Sequence, residues 1–444
     1  MRLHDHPTAV AITARTPAPA PDRVDGAWLE QVARAAGVDD VAFVSLDHPD
    51  LVEEKRHVLN AFPAAVALVA VVVRMPRAAV RSPARSIANG AFHRSSDRVE
   101  AACDDIVAAL EQIGVAALHP SVGFPMEMDR FPKRTWVVSH KTVAQAAGLG
   151  RIGLHRNLIH PRHGSFVLLG TVIVSRPIDA APRTLDYNPC ANCRLCVAAC
   201  PVGAIHPDGR FDTAACLTHN YREFMTGFAD WVGTIADSKD RWDFRDKTGV
   251  AENASWWQSL TSGPHYKAAY CIAACPAGED VMGPFLAHRK QFVADVVEPL
   301  RAKVEPVYVL ADSDAEAHVR ARFPHKQVRR VEGGLYADDI PGFLQGAPLA
   351  FQPGRAGDLH AQVAFRFTGA NPTEVTFRIA QRALHIEPGL SPTADVRVEI
   401  DGRLWLELLR GQRNPVWLVL TRRMRITGDR AALNAFQRCF PGKP

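Results

Sequence analysis

The 444-residue sequence has no apolar run near the roughly 20 residues a membrane-spanning helix needs. The longest, AAVALVAVVV at 64–73, stops at Arg74 and predicts a buried strand. The opening MRLHDHPTAVAITARTPAPAPDR has neither a twin-arginine pair nor a signal-type apolar core, so residues 1–24 are expected to form a flexible Pro/Ala tail on a cytoplasmic protein. No tract of like charge occurs either. The net charge of +5 is spread along the chain and indicates no nucleic-acid partner. Cysteine is sparse: nine residues cannot staple a chain of this size, which excludes a disulfide framework. With 47% hydrophobic and 22% charged residues the composition is that of an ordinary globular protein.

Seven of the nine cysteines are grouped. PCANCRLCVAACPVGAI contains Cys190, Cys193, Cys196 and Cys200 followed by Pro201, the complete C-x2-C-x2-C-x3-C-P run of bacterial ferredoxins. Three thiolates at this spacing sit on one tight loop and grip one cubane, while the fourth ligates the other cluster of a pair. One run therefore requires a partner. HYKAAYCIAACPAGED supplies half of one, Cys271 and Cys275 before Pro276, and FDTAACLTHNY supplies Cys216. The expected ligand sets are Cys190, Cys193, Cys196 and Cys275 for a 4Fe-4S cluster, and Cys200, Cys216 and Cys271 for a second. Ala268 stands where that second set wants its fourth cysteine, which gives a 3Fe-4S cluster; alternatively His265 completes a 4Fe-4S one. Zinc motifs usually pair two C-x2-C halves instead. Cys103 and Cys439 lie in apolar patterns and are expected to pack as small hydrophobes.

Residues 25–180 alternate helix and strand. SSDRVEAACDDIVAALEQIG predicts a helix with Ser96 as N-cap and Gly114 as stop, and SFVLLGTVIVS a strand bent or bulged at Gly170. AGLGRIG matches the dinucleotide fingerprint at Gly148, Gly150 and Gly153. That fingerprint must follow a strand, open a helix and meet an acid about 20 residues on. Here a helical HKTVAQAA precedes it, an extended LHRNLIHP follows, and Ile173 replaces the acid, so the loop is read as a helix C-cap whose glycines admit a bulky ligand.

The succession HKTVAQAAGLGRIGLHRNLIHPRHGSFVLLGTVIVS, PCANCRLCVAACPVGAI, FDTAACLTHNY and YCIAACP resembles epoxyqueuosine reductases and reductive dehalogenases over about residues 25–290. The resemblance implies an α+β chain: a nitroreductase-like cobalamin-binding core at 25–180 and a two-cluster ferredoxin-like module at 181–300. It also implies a corrinoid held near Gly148, Gly150, Gly153 and His155, with electrons arriving from a donor such as a ferredoxin or flavodoxin. The reductases carry V-D-[ST] before the glycine loop, whose Asp donates a proton; RTWVVSHK holds no Asp. In the dehalogenases a Tyr with a nearby Lys or Arg serves instead. The candidates for that role are His140, Lys141, Tyr221 and Arg222.

Between Cys216 and Cys271 lie four of the eight tryptophans, Trp231, Trp242, Trp256 and Trp257. They read either as an apolar wall over substrate or as a helical elaboration capping the clusters. From residue 301 onward a connector leads to alternating strands and helices. VRVEIDGRLWLELLRG and NPVWLVLTRRMRITGD, with a closing apolar helix, resemble the sterol carrier protein type 2 fold over about 345–444. That resemblance implies a lipid or apolar ligand in a tunnel lined by Phe365, Phe367, Phe377, Trp405, Leu408, Trp417 and Leu420, unless those side chains fill a dry core. Two readings of function follow. One is an iron-sulfur, cobalamin-dependent reductase of an apolar organic substrate; the other is an electron relay or redox sensor without corrinoid.

Overall fold

The structure, a computed structural model, describes residues 2–13, 19–131, 133–190, 192–332 and 336–441. Part of the expected tail, residues 1 and 14–18, lies outside these; within the described part Pro7–Thr13 forms a helix, not a loose tail.

The first layer is a sheet. Strands β1 (Asp40–Ser45) and β2 (Ala67–Arg74) are followed by helix α1 (Arg85–Gln112), β3 (Ala117–Leu118), helix α2 (His140–Ala146) and β4 (Val167–Val174). The order is β1-β2-β4-β3, antiparallel throughout. Side chains alternate across it. Val69, Val71, Val172 and Val174 pack on Val99, Cys103, Ile106 and Leu110 of α1, while Leu68, Ala70, Val72 and Ile173 pack on Val143 and Ala144 of α2. With both faces covered, β2 loses polar alternation and reads as one apolar run.

Two local expectations are corrected. Helix α1 begins at Arg85, well before Ser96, because its buried stripe continues back through Phe92, Ala91 and Ala88. Gly170 marks no bend: β4 runs through it, and a Cβ there would lie 2.6 Å from Cys103 Sγ and 2.7 Å from Val99 Cγ1. The glycine lets α1 close onto the sheet. Cys103 itself is a buried packing residue, as the sequence predicts.

The second layer holds the cysteines. Helix α3 (Leu195–Ala199) carries Cys196 and α4 (Thr213–His219) carries Cys216. The tryptophan-rich insertion forms α5 (Gly227–Ala236), α6 (Arg241–Lys247) and α7 (Val250–Ser262), and α8 (Tyr270–Ala273) carries Cys271. Trp256 is buried, but Trp242 and Trp257 are exposed. A parallel pair, β5 (Pro306–Leu310) and β6 (Gln327–Val331), joined by α9 (Asp314–Arg322), packs Val307, Val309 and Val319 against Cys196 and Cys200.

Helix α10 (Ile340–Ala350) leads into β7 (Ala361–Thr368), β8 (Thr373–Ala380), β9 (Ala383–Pro388) and β10 (Val396–Asp401). Helices α11 (Gly402–Leu409) and α12 (Pro415–Leu420), strand β11 (Met424–Gly428) and helix α13 (Arg430–Gln437) complete the chain. The sheet runs β9-β8-β7-β10-β11, with only β7 and β10 parallel. Its inner face is packed with rings: Phe365 lies 5.2 Å from Phe377 and 5.1 Å from Trp405, and Phe343 of α10 lies 5.6 Å from Trp405. These residues fill a core, whereas Trp417 and Leu420 point outward, 44% and 77% exposed, and line no tunnel.

Candidate functional site

The seven grouped thiols come together from three segments. Cys190 and Cys275 share an apolar cluster with Ile159, Cys196, Cys200, Cys216 and Cys271 share one with Leu154, and Cys193 packs against the cluster of Leu195 and Ala199. Burial raises the Cys275 thiol to about 11, and the nearby Cys193 and Cys190 add to it. Burial raises Cys216 well above its ordinary value, with Cys271 and Cys200 adding, and raises Cys271 to about 12, with Cys200 adding. Thiols held this firmly in their protonated form ionise when a metal centre takes the proton's place. Amide donors await that charge. The N–H groups of Val202, Gly203, Ala204 and Ile205 are directed at the Cys200 sulfur, and that of Leu154 lies 3.4 Å from Cys190 Sγ. Hydrogen bonds to the sulfurs are one of the protein's levers on a cluster. The complete C-x2-C-x2-C-x3-C-P run, with Cys271, Cys275 and Pro276 as its partner, is the donor set an iron-sulfur cluster takes.

The two halves repeat at an offset of 75 residues. Cys196, Cys200 and Pro201 correspond to Cys271, Cys275 and Pro276, and Arg194 corresponds to Ala269; both of these have left-handed φ, 54° and 53°. On this offset Cys193 corresponds to Ala268 and Cys190 to His265. Ala268 is buried, and its N–H and that of Ala269 both donate to Asn220 Oδ1, at 3.0 and 2.7 Å. His265 is not brought to the thiols: its N–H donates to Glu223 Oε2 at 2.7 Å, its ring lies 6.2 Å from that of His93, and its charged neighbours are Glu223, Lys267 and His93.

Of the four proton-donor candidates, two are occupied structurally. His140 uses both ring nitrogens, on Thr171 Oγ1 at 2.9 Å and the Ser121 carbonyl at 3.0 Å. Arg222 donates to Asp230 at 2.8 Å and stacks 4.4 Å over the Tyr308 ring. The other two are buried and feel the charge of the same thiols. Burial lowers the Lys141 ammonium, opposed by Cys271 and Cys216. Burial raises the Tyr221 phenol well above its ordinary value, with Tyr266, Cys216 and Cys271 adding. The Tyr221 ring packs edge-on against Tyr266 at 5.3 Å.

The glycine loop proves to be a clamp within the chain. A Cβ on Gly148, which has φ 77°, would lie 2.4 Å from the Arg183 carbonyl oxygen, and one on Gly150 2.5 Å from that of Ile159. On Gly153 it would meet Ile159 Cδ1 at 2.6 Å and Cys190 Sγ at 3.3 Å. The loop therefore brings the hairpin 151–159 onto the first thiol set, and the space expected for a bulky ligand is filled by protein atoms. His155 is different. Its Nδ1 accepts the Asn157 N–H at 3.1 Å, which places the proton on Nε2, and that atom is buried without a partner. Burial lowers this imidazole to about 4, Lys141 contributing.

Residues 184–206 match the family described as 4Fe-4S binding domain, and 352–441 match the SCP-2 sterol transfer family. An epoxyqueuosine reductase from Listeria monocytogenes is 28% identical over 194 residues, 43% of this chain and 48% of the relative. One from Synechococcus sp. (strain CC9605) is 40% identical over 110 residues, 24% of this chain and 32% of the relative. The chain thus spans about half or less of the length of these curated relatives. Among solved structures, the epoxyqueuosine reductase from Streptococcus thermophilus covers 73% of this chain and 98% of its own at 13% identity and a TM-score of 0.33. Scores this low leave the sequence relatives as the basis of comparison. The chain is similar to epoxyqueuosine reductases over less than half of its length, and to sterol carrier domains over its C-terminal part.

Proposed function

We propose that this chain is an iron-sulfur oxidoreductase of the epoxyqueuosine reductase type, whose reaction is the two-electron, two-proton reduction of an epoxide to an alkene and water. Cys190, Cys193, Cys196 and Cys275 hold a 4Fe-4S cluster near the surface; Cys200, Cys216 and Cys271 hold a 3Fe-4S cluster deeper in. Half-exposed Cys190 and Cys193, beside exposed Arg194 and Arg289, offer an acidic donor such as a ferredoxin or flavodoxin its entry point. His155, with its unpartnered buried Nε2–H, and Lys141 are the residues that would hold a corrinoid. The chemistry a corrinoid supplies when bound is a strongly reducing metal centre; this chain's residues place the substrate and manage the proton. Tyr221 keeps its proton at neutral pH and releases it to the oxygen as the first carbon–oxygen bond breaks; the second proton, which lets the oxygen leave as water, comes from solvent, and the two electrons come from the external donor. Lys141 sets a cation at the same thiols, where arriving electrons are stabilised.

The observation that carries this reading is the complete C-x2-C-x2-C-x3-C-P run with its partner half-run 75 residues on, sharing a left-handed residue at Arg194 and Ala269. The SCP-2 match supports an apolar epoxide as substrate; a second reading, favoured by the relatives' name, is epoxyqueuosine in tRNA. Anaerobically reconstituted protein, with and without cobalamin, should be offered small apolar epoxides and an epoxyqueuosine-bearing stem-loop in parallel. Tyr221→Phe is expected to lower turnover roughly 100-fold at unchanged iron content. Turnover of neither substrate by fully iron-loaded protein refutes the reductase reading, and an unaffected Tyr221→Phe variant refutes the role of the phenol.

A further inference from the structure

Helix α12 has almost nothing beneath it. Leu418 alone is buried, whereas Val416, Trp417, Val419 and Leu420 are 63%, 44%, 39% and 77% exposed. The helix is firmly made even so: the Asn414 side chain caps it, accepting from the Val416 N–H at 2.8 Å, and Pro415 opens it. An apolar knob held rigidly in water calls for a surface to meet. Its surroundings are one-signed. Between residues 408 and 428 there is no acidic residue and there are five arginines. Arg410 and Arg413 are held by Asp338 and Glu407, both at 2.7 Å, and Arg425 stands across the sheet from Glu399. Arg422 and Arg423 are exposed and have no acidic partner among the described residues; the Arg423 guanidinium lies 5.0 Å over the Trp417 ring.

From this we infer that α12 and its flanking arginines dock the protein on an anionic lipid surface, with Val416, Trp417 and Leu420 entering the headgroup boundary and Arg422 and Arg423 meeting the charge. A second copy of the chain fits poorly, because a two-fold contact would set each arginine pair against its twin. RNA fits poorly as well: strands are gripped by stacking platforms, and three of the four exposed tips here are aliphatic. Among the described residues no helix is long and apolar enough to cross a membrane; a contact made by one short apolar helix and two arginines is peripheral and reversible. Nothing in it depends on the reductase reading.

The test uses full-length, cluster-loaded protein and sedimentation with vesicles of phosphatidylcholine alone or mixed with phosphatidylglycerol. Binding is expected only to the mixed vesicles and should weaken with salt. Each arginine removed from the surface weakens binding about fivefold, so Arg422→Gln with Arg423→Gln should weaken it roughly 25-fold. Leu420→Ser should weaken it about tenfold, while Trp242→Ala, an exposed tryptophan on α6, should leave it unchanged. Unchanged iron-sulfur absorbance in each variant certifies the fold. Absence of binding, equal binding to phosphatidylcholine, variants within twofold of the parent, self-association abolished by Leu420→Ser, or displacement from vesicles by an RNA stem-loop would each overturn the inference.

Discussion

Restoring the missing cysteine is the sharpest perturbation the cluster geometry offers. Ala268 lies 75 residues beyond Cys193 in a repeat in which Cys196, Cys200 and Pro201 coincide with Cys271, Cys275 and Pro276, as does the left-handed conformation of the residue after Cys193 and after Ala268. Its backbone is fixed by Asn220, so Ala268→Cys should place a thiol at the vacant corner without rearranging the loop. Ala268 is buried at 4% exposure, and adding a heavy atom to a filled site costs about 1–3 kcal/mol when nothing accommodates it. The consequence differs between forms. Cluster-free Ala268→Cys should be less stable than the cluster-free parent by about that amount, while the loaded variant recovers it by ligation. Iron should rise from roughly seven to roughly eight atoms per chain, and the paramagnetic signal of an oxidised three-iron cluster should disappear. Iron analysis and electron paramagnetic resonance on anaerobically reconstituted samples read both. A parent that already holds eight irons, or a variant that keeps the three-iron signal, refutes the three-cysteine assignment.

Asn220→Ala leaves the buried N–H groups of Ala268 and Ala269 unpaired, at about 1–3 kcal/mol each; urea unfolding should show the loss, and Asn220→Asp should restore most of it. Lys141→Met removes a cation from the second thiol set and should lower its midpoint potential by on the order of 50–100 mV; a spectroscopic redox titration that moves only the first set contradicts that placement. Burial holds His155 at about 4, and burial, with Lys267, Lys326 and Arg222, holds His219 at about 3. Both are neutral when folded and take up a proton on unfolding below about pH 6.5, so stability is complete above that pH and falls as pH falls. The loss is about 2 kcal/mol each by pH 5, and a urea midpoint equal at pH 7 and pH 5 would refute it.

Much of this was legible in the sequence because it depends on local spacing. The C-x2-C-x2-C-x3-C-P run, the apolar stripe of α1 and the alternation of β7 and β8 are short-range patterns, and the structure follows them. What sequence reading missed depends on contacts between distant segments. The glycines at 148, 150 and 153 look like a ligand cradle until Arg183, Ile159 and Cys190 are found in the space they leave. Trp417 and Leu420 have the composition of tunnel lining, and only the direction in which α12 leaves the sheet turns them to solvent. His140 and Arg222 carry the right chemistry for proton donors, yet their hydrogen bonds are used elsewhere. The 75-residue offset was readable in the repeated C-x3-C-P, whereas the shared left-handed conformation at Arg194 and Ala269 was not, because residue identity conceals it.

The connector from 301 to 331 belongs physically with the cysteines and not with the domain it precedes in sequence. Val307, Val309 and Val319 form the apolar wall behind Cys196 and Cys200, and Tyr270, next to Cys271, donates its hydroxyl to Glu305 at 2.7 Å. Lys326 closes that group, donating to Glu305 at 2.7 Å and to the Leu300 carbonyl at 3.3 Å. Such a wall keeps water from the deeper thiols, and solvent exposure is one of the terms that set a cluster's potential. The C-terminal domain then begins in earnest at α10, which packs its Phe343 into the aromatic core on one side and contacts α4, the helix of Cys216, on the other. One continuous set of packed elements therefore joins the exposed knob of α12, through the sheet and α10, to the helix of Cys216. If α12 docks on lipid and Cys216 ligates a cluster, as proposed, a load on the one has a physical route to the other that a flexible linker would not provide.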